Sequence, residues 1–494
     1  MNKIIYILIC ALAINASGCN KLKDFGDTNV NPATTRNLVT AALLTNTLSE
    51  LGYDPSYYAD YNFGQGFYCQ YFSETSQNMY SCYVSNARSP MDKYSGPLYD
   101  LQNIININSD ESRRAETEVY GTNANQIAIA RVLKAYIFWV MTDRWGDIPY
   151  KDALKGNPNV AYDTQESIYK DLIKELTESV DQFVTPDIQV KGDIAYDGNT
   201  EKWKELANSL RMLMALNLSK QYPGETEYAA IQFNEALNNP AGSISENTAN
   251  FKLEYPGGSN WINMFYGMYA FGGTIGESET MTSLLIDTIG DDERQMVFGS
   301  DMSGAPSIKG VPYGRNSSYT NQWCQENPDY CYAFAPAYRT ETSPFYFISA
   351  ANVLLARAEA ADRGWTGENT ATLYQEGIAA SFMQWNLEAP EPGYFSKQNV
   401  ALGVSGTNLK QIATQQYIAY YPDGRNGWNT WRRTGWPVLL PAPDAENNPK
   451  VIPRRYMYGA EDYSFNPKGL AAAIEKLGPN GDKMDSRVWW DKEE

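Results

Sequence analysis

The sequence predicts an all-α fold of paired helices, with long irregular loops between the pairs. Three observations lead there. Apolar residues recur at spacings of three and four through most of the chain, the period of a helix with one buried face. Capping residues and short turns cut these runs into pieces of ordinary helix length. Alternation of the kind that marks strands is scarce.

The elements follow in chain order. From Gln126 to Thr142 the apolar residues Ile129, Leu133, Tyr136 and Val140 mark one helix, which Gly146 and Pro149 stop. Gly146 suits a left-handed cap there, and Arg144 suits the negative end of the helix dipole. Asp163 to Glu166 has capping-box form, and Ile168, Leu172, Leu176 and Val180 follow it. Thr200 then caps a run through Trp203, Leu206, Leu210, Leu213 and Met214, and Tyr228–Leu237 supplies a shorter helix. A second helical block is predicted at Tyr346–Arg363, Thr370–Trp385 and Leu409–Tyr421. Within it, Ala360-x3-Gly364 and Ala371-x2-Tyr374-x2-Gly377 have the form of half a tetratricopeptide repeat. Small residues there let two helices approach closely while the aromatic fills the gap. Helix pairs on both sides of that motif make a scaffold of tetratricopeptide-like hairpins the predicted architecture.

Two stretches resist this reading. Tyr53–Asp100 carries ten tyrosines, and Phe251–Ser343 is rich in Gly, Ser, Asn, Pro and aromatics. Loops of that length are uncommon unless they serve a function. Tyr421–Pro467 is likewise punctuated by Pro and Gly, and no linker separates independent domains.

Composition excludes several chemistries. None of the 494 residues is histidine, so a Ser-His-Asp triad, a Cys-His dyad and His-ligated zinc or haem are ruled out. A pair of carboxylates could still hydrolyse a glycoside. The net charge of −18, from 40 Lys and Arg against 58 Asp and Glu, repels phosphate backbones, so no nucleic-acid partner is expected. Asp291-Asp292-Glu293 lacks the spacing and glycine of a calcium loop and reads as a helix end or a solvated face. There is no P-loop, GxGxxG or GxSxG, and neither a metal nor a cofactor is expected.

Residues 1–18 read as a signal peptide, with a weakly basic start and an apolar run from Ile4 to Ile14 that is too short to span a bilayer. Ala16-Ser17-Gly18-Cys19 is similar to a bacterial lipobox, with Ala16 in place of the usual leucine. Cys19 would then carry lipid, residues 19–25 would form a linker, and residues 26–494 a single domain. Ordinary secretory cleavage is the alternative. Cys69, Cys82, Cys324 and Cys331 remain in the body. An even number in an exported chain suggests two disulfides, most simply Cys69–Cys82 and Cys324–Cys331, with free buried thiols as the alternative.

Several motifs occur in a fixed order along the chain. Asn31-Pro32 and Gln70-Tyr71-Phe72-Ser73 come first, then Ala135-Tyr136-Ile137-Phe138 running to Asp143-Arg144-Trp145-Gly146-Asp147-Ile148-Pro149-Tyr150. Trp203 with Ala207-Asn208-Ser209-Leu210-Arg211 follows, and then Gly310-Val311-Pro312-Tyr313-Gly314. The last third adds Ala358-Glu359-Ala360 with Gly364-Trp365, Trp431-Arg432-Arg433-Thr434-Gly435, Ile452-Pro453-Arg454-Arg455 and Asp482 to Trp490. Together they resemble the SusD/RagB-like outer-membrane nutrient-binding lipoproteins, in the SusD-like branch. The resemblance implies tetratricopeptide-like helix pairs with ligand loops packed on one side. It also implies a non-enzymatic, lipid-anchored protein on the outer membrane at the cell surface, which serves as a lid on a SusC-like TonB-dependent transporter and captures oligosaccharides, or in some members peptides. The motifs themselves read as scaffold: Trp431-Arg432-Arg433 as an aromatic–guanidinium corner, and Asp143 to Asp147 as a helix end.

Ligand contact is expected in the two loop regions. Aromatics make up 13% of the chain, with 36 Tyr and 12 Trp, and a flat ring can stack on the apolar face of a sugar while polar groups pair its hydroxyls. The first region offers Tyr68, Tyr80, Tyr83, Asn86 and Arg88. The second offers Trp261, Tyr266, Tyr269 and Phe271, then Tyr313, Arg315, Asn316, Tyr319, Asn321, Trp323 and Tyr330. Asn316 to Tyr319 reads as an exposed turn, which makes Tyr319 and Trp323 the leading candidates. Core packing or contact with the transporter would use the same aromatics. A peptide lid, a carboxylate-pair surface glycosidase and a purely structural transporter component remain as alternatives to a glycan lid.

Overall fold

Helix pairs frame the molecule in the computed structural model, which describes residues 39–52, 63–85, 87–157, 160–258, 261–270 and 275–493. The predicted signal peptide, Cys19, the linker, Asn31-Pro32, Asn86 and Phe271 lie outside the described residues. In chain order the main helices are α1 (Thr40–Gly52), α2 (Phe63–Tyr68), α3 (Pro97–Ser109), α4 (Asn123–Trp145), α5 (Gln165–Gln182), α6 (Thr200–Asn217) and α7 (Tyr228–Leu237). The short helix α8 (Met264–Ala270) and α9 (Ser317–Glu326) follow. Last come α10 (Ala350–Asp362), α11 (Thr370–Met383), α12 (Leu409–Tyr420), α13 (Gly424–Thr434) and α14 (Pro467–Lys476).

Neighbours in sequence pack as neighbours in space: α1 on α3, α3 on α4, α4 on α5, α5 on α6 and α6 on α7, then α10 on α11 and α12, and α12 on α13. α4 is the spine. It is buried from Ala128 to Trp145 on nearly every side, as a helix flanked on two faces must be. α5 is amphipathic and buries Ile168, Leu172, Leu176 and Val180, the predicted stripe. In the α10–α11 pair a Cβ on Gly377 would come within 2.7 Å of the Leu355 side chain, so only glycine permits this approach. Tyr374 fills the gap beside it and donates its hydroxyl to the Val400 carbonyl at 2.9 Å.

Several boundaries differ from the sequence reading. The cap of α5 is Thr164, which accepts from the Ser167 amide at 3.2 Å. Asp163 instead accepts from the amides of Tyr150 and Lys151. Asn199, not Thr200, caps α6. Gly146 has φ 85° but ψ −117°, so it turns the chain outside the left-handed helical region. The predicted Tyr346–Arg363 helix divides at Ser349. Phe345–Ile348, aromatic and β-branched, forms a strand, and Ser349 with Asn352 makes the capping box that opens α10.

α13 lies in a Pro/Gly-rich stretch and has only Trp428 and Trp431 as apolar side chains, too few to read as a helix in the sequence. It is fixed by its polar residues instead. Asp423 caps it by accepting from the amides of Arg425 and Asn426. Arg432 lies between Trp428 and Trp490, with its guanidinium carbon 3.6 and 4.6 Å from the ring centroids. Asp143 at the end of α4 accepts from Asn429 at 2.6 Å, from the Trp490 indole at 3.0 Å and from the Tyr169 hydroxyl. Arg433 and Arg363 both reach the buried Glu359, where burial alone would raise the carboxyl. The two guanidiniums outweigh burial and hold it at about 2. The Asp143, Trp431-Arg432-Arg433 and Trp490 motifs therefore meet in one buried lock between the helical blocks. Arg144 is buried too, beside Gln65 and the Tyr456 ring, rather than displayed at an exposed helix end.

There are three small sheets among the described residues. The strands in order are β1 (Phe72–Glu74), β2 (Ile148–Pro149), β3 (Tyr162–Asp163), β4 (Phe251–Leu253), β5 (Ile275–Glu277), β6 (Gly299–Ser300), β7 (Tyr332–Ala333) and β8 (Phe345–Ile348). β2 pairs with β3 and β4 with β8. The largest sheet runs β1-β5-β7-β6, antiparallel throughout, with Phe72 opposite Glu277 and Gly276 opposite Tyr332. Two predicted loop regions are thus stitched to each other by backbone pairing.

The predicted disulfides are absent, and all four cysteines are free. Cys69 lies against the Gly66 and Gly424 carbonyls, whereas Cys82 lies against that of Arg315 at 3.3 Å. Cys331 donates to Ser307 at 3.1 Å inside the sheet, while Cys324 sits half-buried on α9. Each thiol faces its own carbonyl or helix surface, and the loops are held by strand pairing instead. Among the described residues no helix is long and apolar enough to cross a membrane.

Candidate functional site

The sheet supports an aromatic shelf. Tyr330 and Tyr332 lie two apart on extended chain, so their rings project to the same side. They stack at 4.6 Å between centroids with 23° between planes. Tyr269, from α8, meets Tyr332 edge to face at 5.9 Å. The Arg339 guanidinium lies 3.9 Å from the centre of the Tyr269 ring and donates to the Phe334 carbonyl at 2.8 Å. Only 3% of Arg339 is exposed, yet its Nε and Nη2 have no hydrogen-bond partner among the described residues, and burial lowers its pKa. Tyr269 and Tyr332 are half-exposed, so ring surface is open above a buried, charged support.

α9 supplies a second ridge. Asn316 caps it by accepting from the Tyr319 amide at 3.1 Å, and Asp444 pins that cap by accepting from both the amide and the side chain of Asn316 at 2.9 Å. The predicted exposed turn is therefore the first turn of a helix. Tyr319 and Trp323, four apart, fall on one helix face. Tyr319 is 42% exposed with the Arg315 guanidinium 4.3 Å from its ring centre, and Trp323 is half-buried. Asn321 is exposed and accepts from Gln325 at 3.2 Å. Cys324, next along α9, lies beside Tyr330, whose phenol is pushed upward by burial, then by Tyr332 and Cys324.

A third loop borders the shelf. Glu341 accepts from the Gly258 amide at 3.0 Å, its carbonyl accepts from the Asn263 amide at 2.9 Å, and the carboxylate raises the Tyr266 phenol through a hydrogen bond. Trp261 and Tyr266 are both half-exposed in this stapled segment.

Other predicted contact residues lie apart from the shelf or are turned into the core. Tyr83 and Tyr313 are buried with their hydroxyls 3.1 Å apart, and Tyr313 donates to the Phe67 carbonyl at 2.7 Å. Both serve the core, as does Tyr68, which packs against Trp428 and Tyr456. Tyr80 is half-buried and stacks on Phe67 at 5.4 Å. The backbone of Arg88 pairs with Met457 and receives the Trp145 indole at 2.9 Å, which ties it to the C-terminal segment rather than to the tyrosines. Tyr332 and Arg339 are functional candidates the sequence reading missed. Reading Tyr330-Cys331-Tyr332 as strand alternation would have revealed Tyr332. Nothing local marks Arg339, because its role depends on Tyr269, seventy residues away.

The carboxylates around the shelf are engaged. Glu341 and Asp444 have the partners given above, and Asp329 pairs with Lys309 at 2.7 Å. Asp292, from the acidic cluster, is neither solvated nor at a metal. It is buried against Arg294 at 2.7 Å and accepts from the Tyr394 hydroxyl at 2.7 Å. Among the described residues no cluster of three or more Cys, Asp or Glu is placed to hold a metal ion. The surface presents ring faces and hydrogen-bonding groups.

A family model for SusD-like proteins, described as starch-binding and associating with the outer membrane, matches residues 31–459. Among solved structures, a chitin-binding protein is 26% identical, with TM-score 0.74 over 92% of this chain and 100% of the other. A chitin-binding SusD homolog from Flavobacterium johnsoniae is 23% identical, with TM-score 0.76 over 92% of this chain and 98% of its own. A SusD homolog from Parabacteroides distasonis is 22% identical, with TM-score 0.79 over the same shares. No curated protein matches the sequence.

Proposed function

The chain belongs to the SusD-like family of starch-binding proteins associated with the outer membrane, and on that premise we propose that it captures oligosaccharides on the aromatic shelf and passes them to a SusC-like TonB-dependent transporter. It acts as a binder and not as a catalyst. Cleavage after residue 18 and lipid on Cys19 hold it at the cell surface, and residues 26–494 work as one domain. The observation that carries this reading is the open ring surface of Tyr269 and Tyr332 beside the Tyr319–Trp323 ridge. Such faces suit the C–H side of a sugar, while Arg315 and Asn321 can pair its hydroxyls. The sheet and the cap of α9 fix these groups in advance, which lowers the entropy cost of binding. Two relatives described as chitin-binding favour a glycan over a peptide.

Calorimetry with starch- and chitin-derived oligosaccharides tests the reading. A binder should emerge, and Tyr332→Ala should weaken it about tenfold, the upper end of what one aromatic contact contributes. Peptides binding where no oligosaccharide does would overturn it, as would release of reducing ends from the oligosaccharides. Co-purification with the transporter and mass spectrometry of the N-terminal peptide test the partner and the lipid.

A further inference from the structure

A second cleft shares no residue with the shelf. It has a volume of about 370 Å³, within the range of small-ligand sites. It is lined by Trp436, half-exposed, and by Ser283 with both ends of the π-helical turn Leu284–Thr288. In an α-helix, residues five apart point about 140° away from each other. A π turn closes i to i+5 instead and brings such residues onto one face, and these turns recur at functional sites. Here the turn presents Ser283 and Thr288 to the cleft together. Both are exposed, and among the described residues neither hydroxyl has a hydrogen bond within the protein. Asn399 is fixed beside them, its amide donating to the Thr288 carbonyl at 2.8 Å. Lys410 is the one charged residue lining the cleft. Its ammonium lies 5.3 Å from the centre of the Trp436 indole and has no carboxylate within ion-pair distance among the described residues. In a chain of net charge −18 that leaves a cation available to a ligand.

We propose that this cleft is a second carbohydrate site, selective for a pyranose ring bearing an anionic substituent, either carboxylate or sulfate. The ring stacks on Trp436, its hydroxyls meet Ser283, Thr288 and Asn399, and its anion meets Lys410. This rests on the reading of the chain as a glycan binder. A polymer held at both sites gains from effective concentration without any new contact.

The test uses the full chain with the shelf weakened by Tyr332→Ala. Calorimetry is run with neutral, uronate-bearing and sulfated oligosaccharides at low and high salt. Uronate or sulfated ligands should still bind, whichever arm is tighter naming the anion. Lys410→Gln should cost about tenfold and abolish the salt dependence. Ser283→Tyr, on an exposed position that leaves the core intact, should block the cleft even where Trp436→Ala proves unstable. If wild-type protein binds glycans but the residual binding of Tyr332→Ala is unchanged by Lys410→Gln, Ser283→Tyr and Trp436→Ala, the second site is overturned while the shelf stands. Equal affinity of neutral and charged ligands for the cleft, insensitive to Lys410→Gln, would overturn the anion assignment. If no glycan binds the wild-type chain, the premise itself fails.

Discussion

The buried lock and the open shelf are built from the same three residue types, yet they do opposite work. In the lock Arg432 has an aromatic ring on either side, and Arg433 meets a buried carboxylate. On the shelf Arg339 supports Tyr269 while two of its nitrogens have no hydrogen-bond partner among the described residues, and Tyr332 stays partly open. The lesson is that arginine, tyrosine and tryptophan do not announce a site by identity. A stack closed on both sides is a fastener, whereas a stack open on one side is a platform. Two carboxyls make the contrast quantitative. Glu359 in the lock, with Arg433 and Arg363 overcoming its burial, is held at about 2. Glu277, beneath the shelf in β5, is raised by burial to about 8, and its hydrogen bond with Gln295 and contact with Cys331 offset only part of that.

The sharpest way to break the lock is Arg433→Ala, which leaves Glu359 buried with less compensation. Breaking a buried pair in this way costs about 3–5 kcal/mol, and urea unfolding should read it as a lower midpoint at unchanged slope. The sign with pH also follows. The folded value of Glu359 lies below its ordinary 4.5, so its contribution is full above about pH 4.5 and disappears as pH falls towards about 2. Arg433→Ala should flatten stability across that acid window. An unchanged midpoint would mean that the lock does not hold the helical blocks together.

Glu277→Gln tests the other carboxyl, and the expected sign is reversed. Its folded value lies above 4.5, so between about 4.5 and about 8 the unfolded chain loses a proton that the folded chain keeps. Stability is therefore full below about pH 4.5 and declines as pH rises towards 8. The variant keeps the shape of the side chain and cannot ionise, so thermal melts from pH 5 to 8 should lose that decline. A wild-type melting temperature flat over this window would show that Glu277 is not buried as the sheet places it.

The scaffold was legible because helical periodicity is local. Ile168, Leu172, Leu176 and Val180 mark α5 without reference to anything else, and the Tyr374–Gly377 spacing announces the α10–α11 contact. α13 was not legible, because key partners of its side chains are distant, Glu359 for Arg433 at 74 positions and Asp143 for Asn429 at 286. The shelf was legible as a region and not as a list. Aromatic crowding pointed to the two loop regions, but burial decides between Tyr313 and Tyr332, and burial comes from pairing β1 with β5 and β5 with β7. The cysteine spacings misled for the same reason, since proximity in sequence said nothing about which carbonyl each thiol would face.

Gly377→Leu sharpens the scaffold side of the comparison with a smaller effect. The new side chain would meet Leu355 where even a Cβ comes within 2.7 Å, so α10 and α11 must separate. Overpacking of this kind costs about 1–3 kcal/mol, seen as a lower melting temperature. Glycan affinity measured below that temperature should not change, since no shelf residue lies on either helix. A loss of affinity at full folding would couple the two regions and blur the line between them.

Tyr319→Ala is the smallest perturbation of the fold and tests the definition of a platform directly. Tyr319 is 42% exposed, and its one ring contact among the described residues is the Arg315 guanidinium at 4.3 Å. An exposed contact of that kind is worth about 0.5–1 kcal/mol, and surface substitutions usually stay within about 0.5 kcal/mol, so the melting temperature should hardly move. The Asn316 cap and its Asp444 anchor remain, so α9 keeps its position and Trp323 keeps its orientation. Oligosaccharide affinity should nevertheless fall several-fold, because the ring removed is one that faces outward. If stability falls instead and affinity holds, Tyr319 packs as the lock residues do, and α9 belongs to the scaffold rather than to the binding surface.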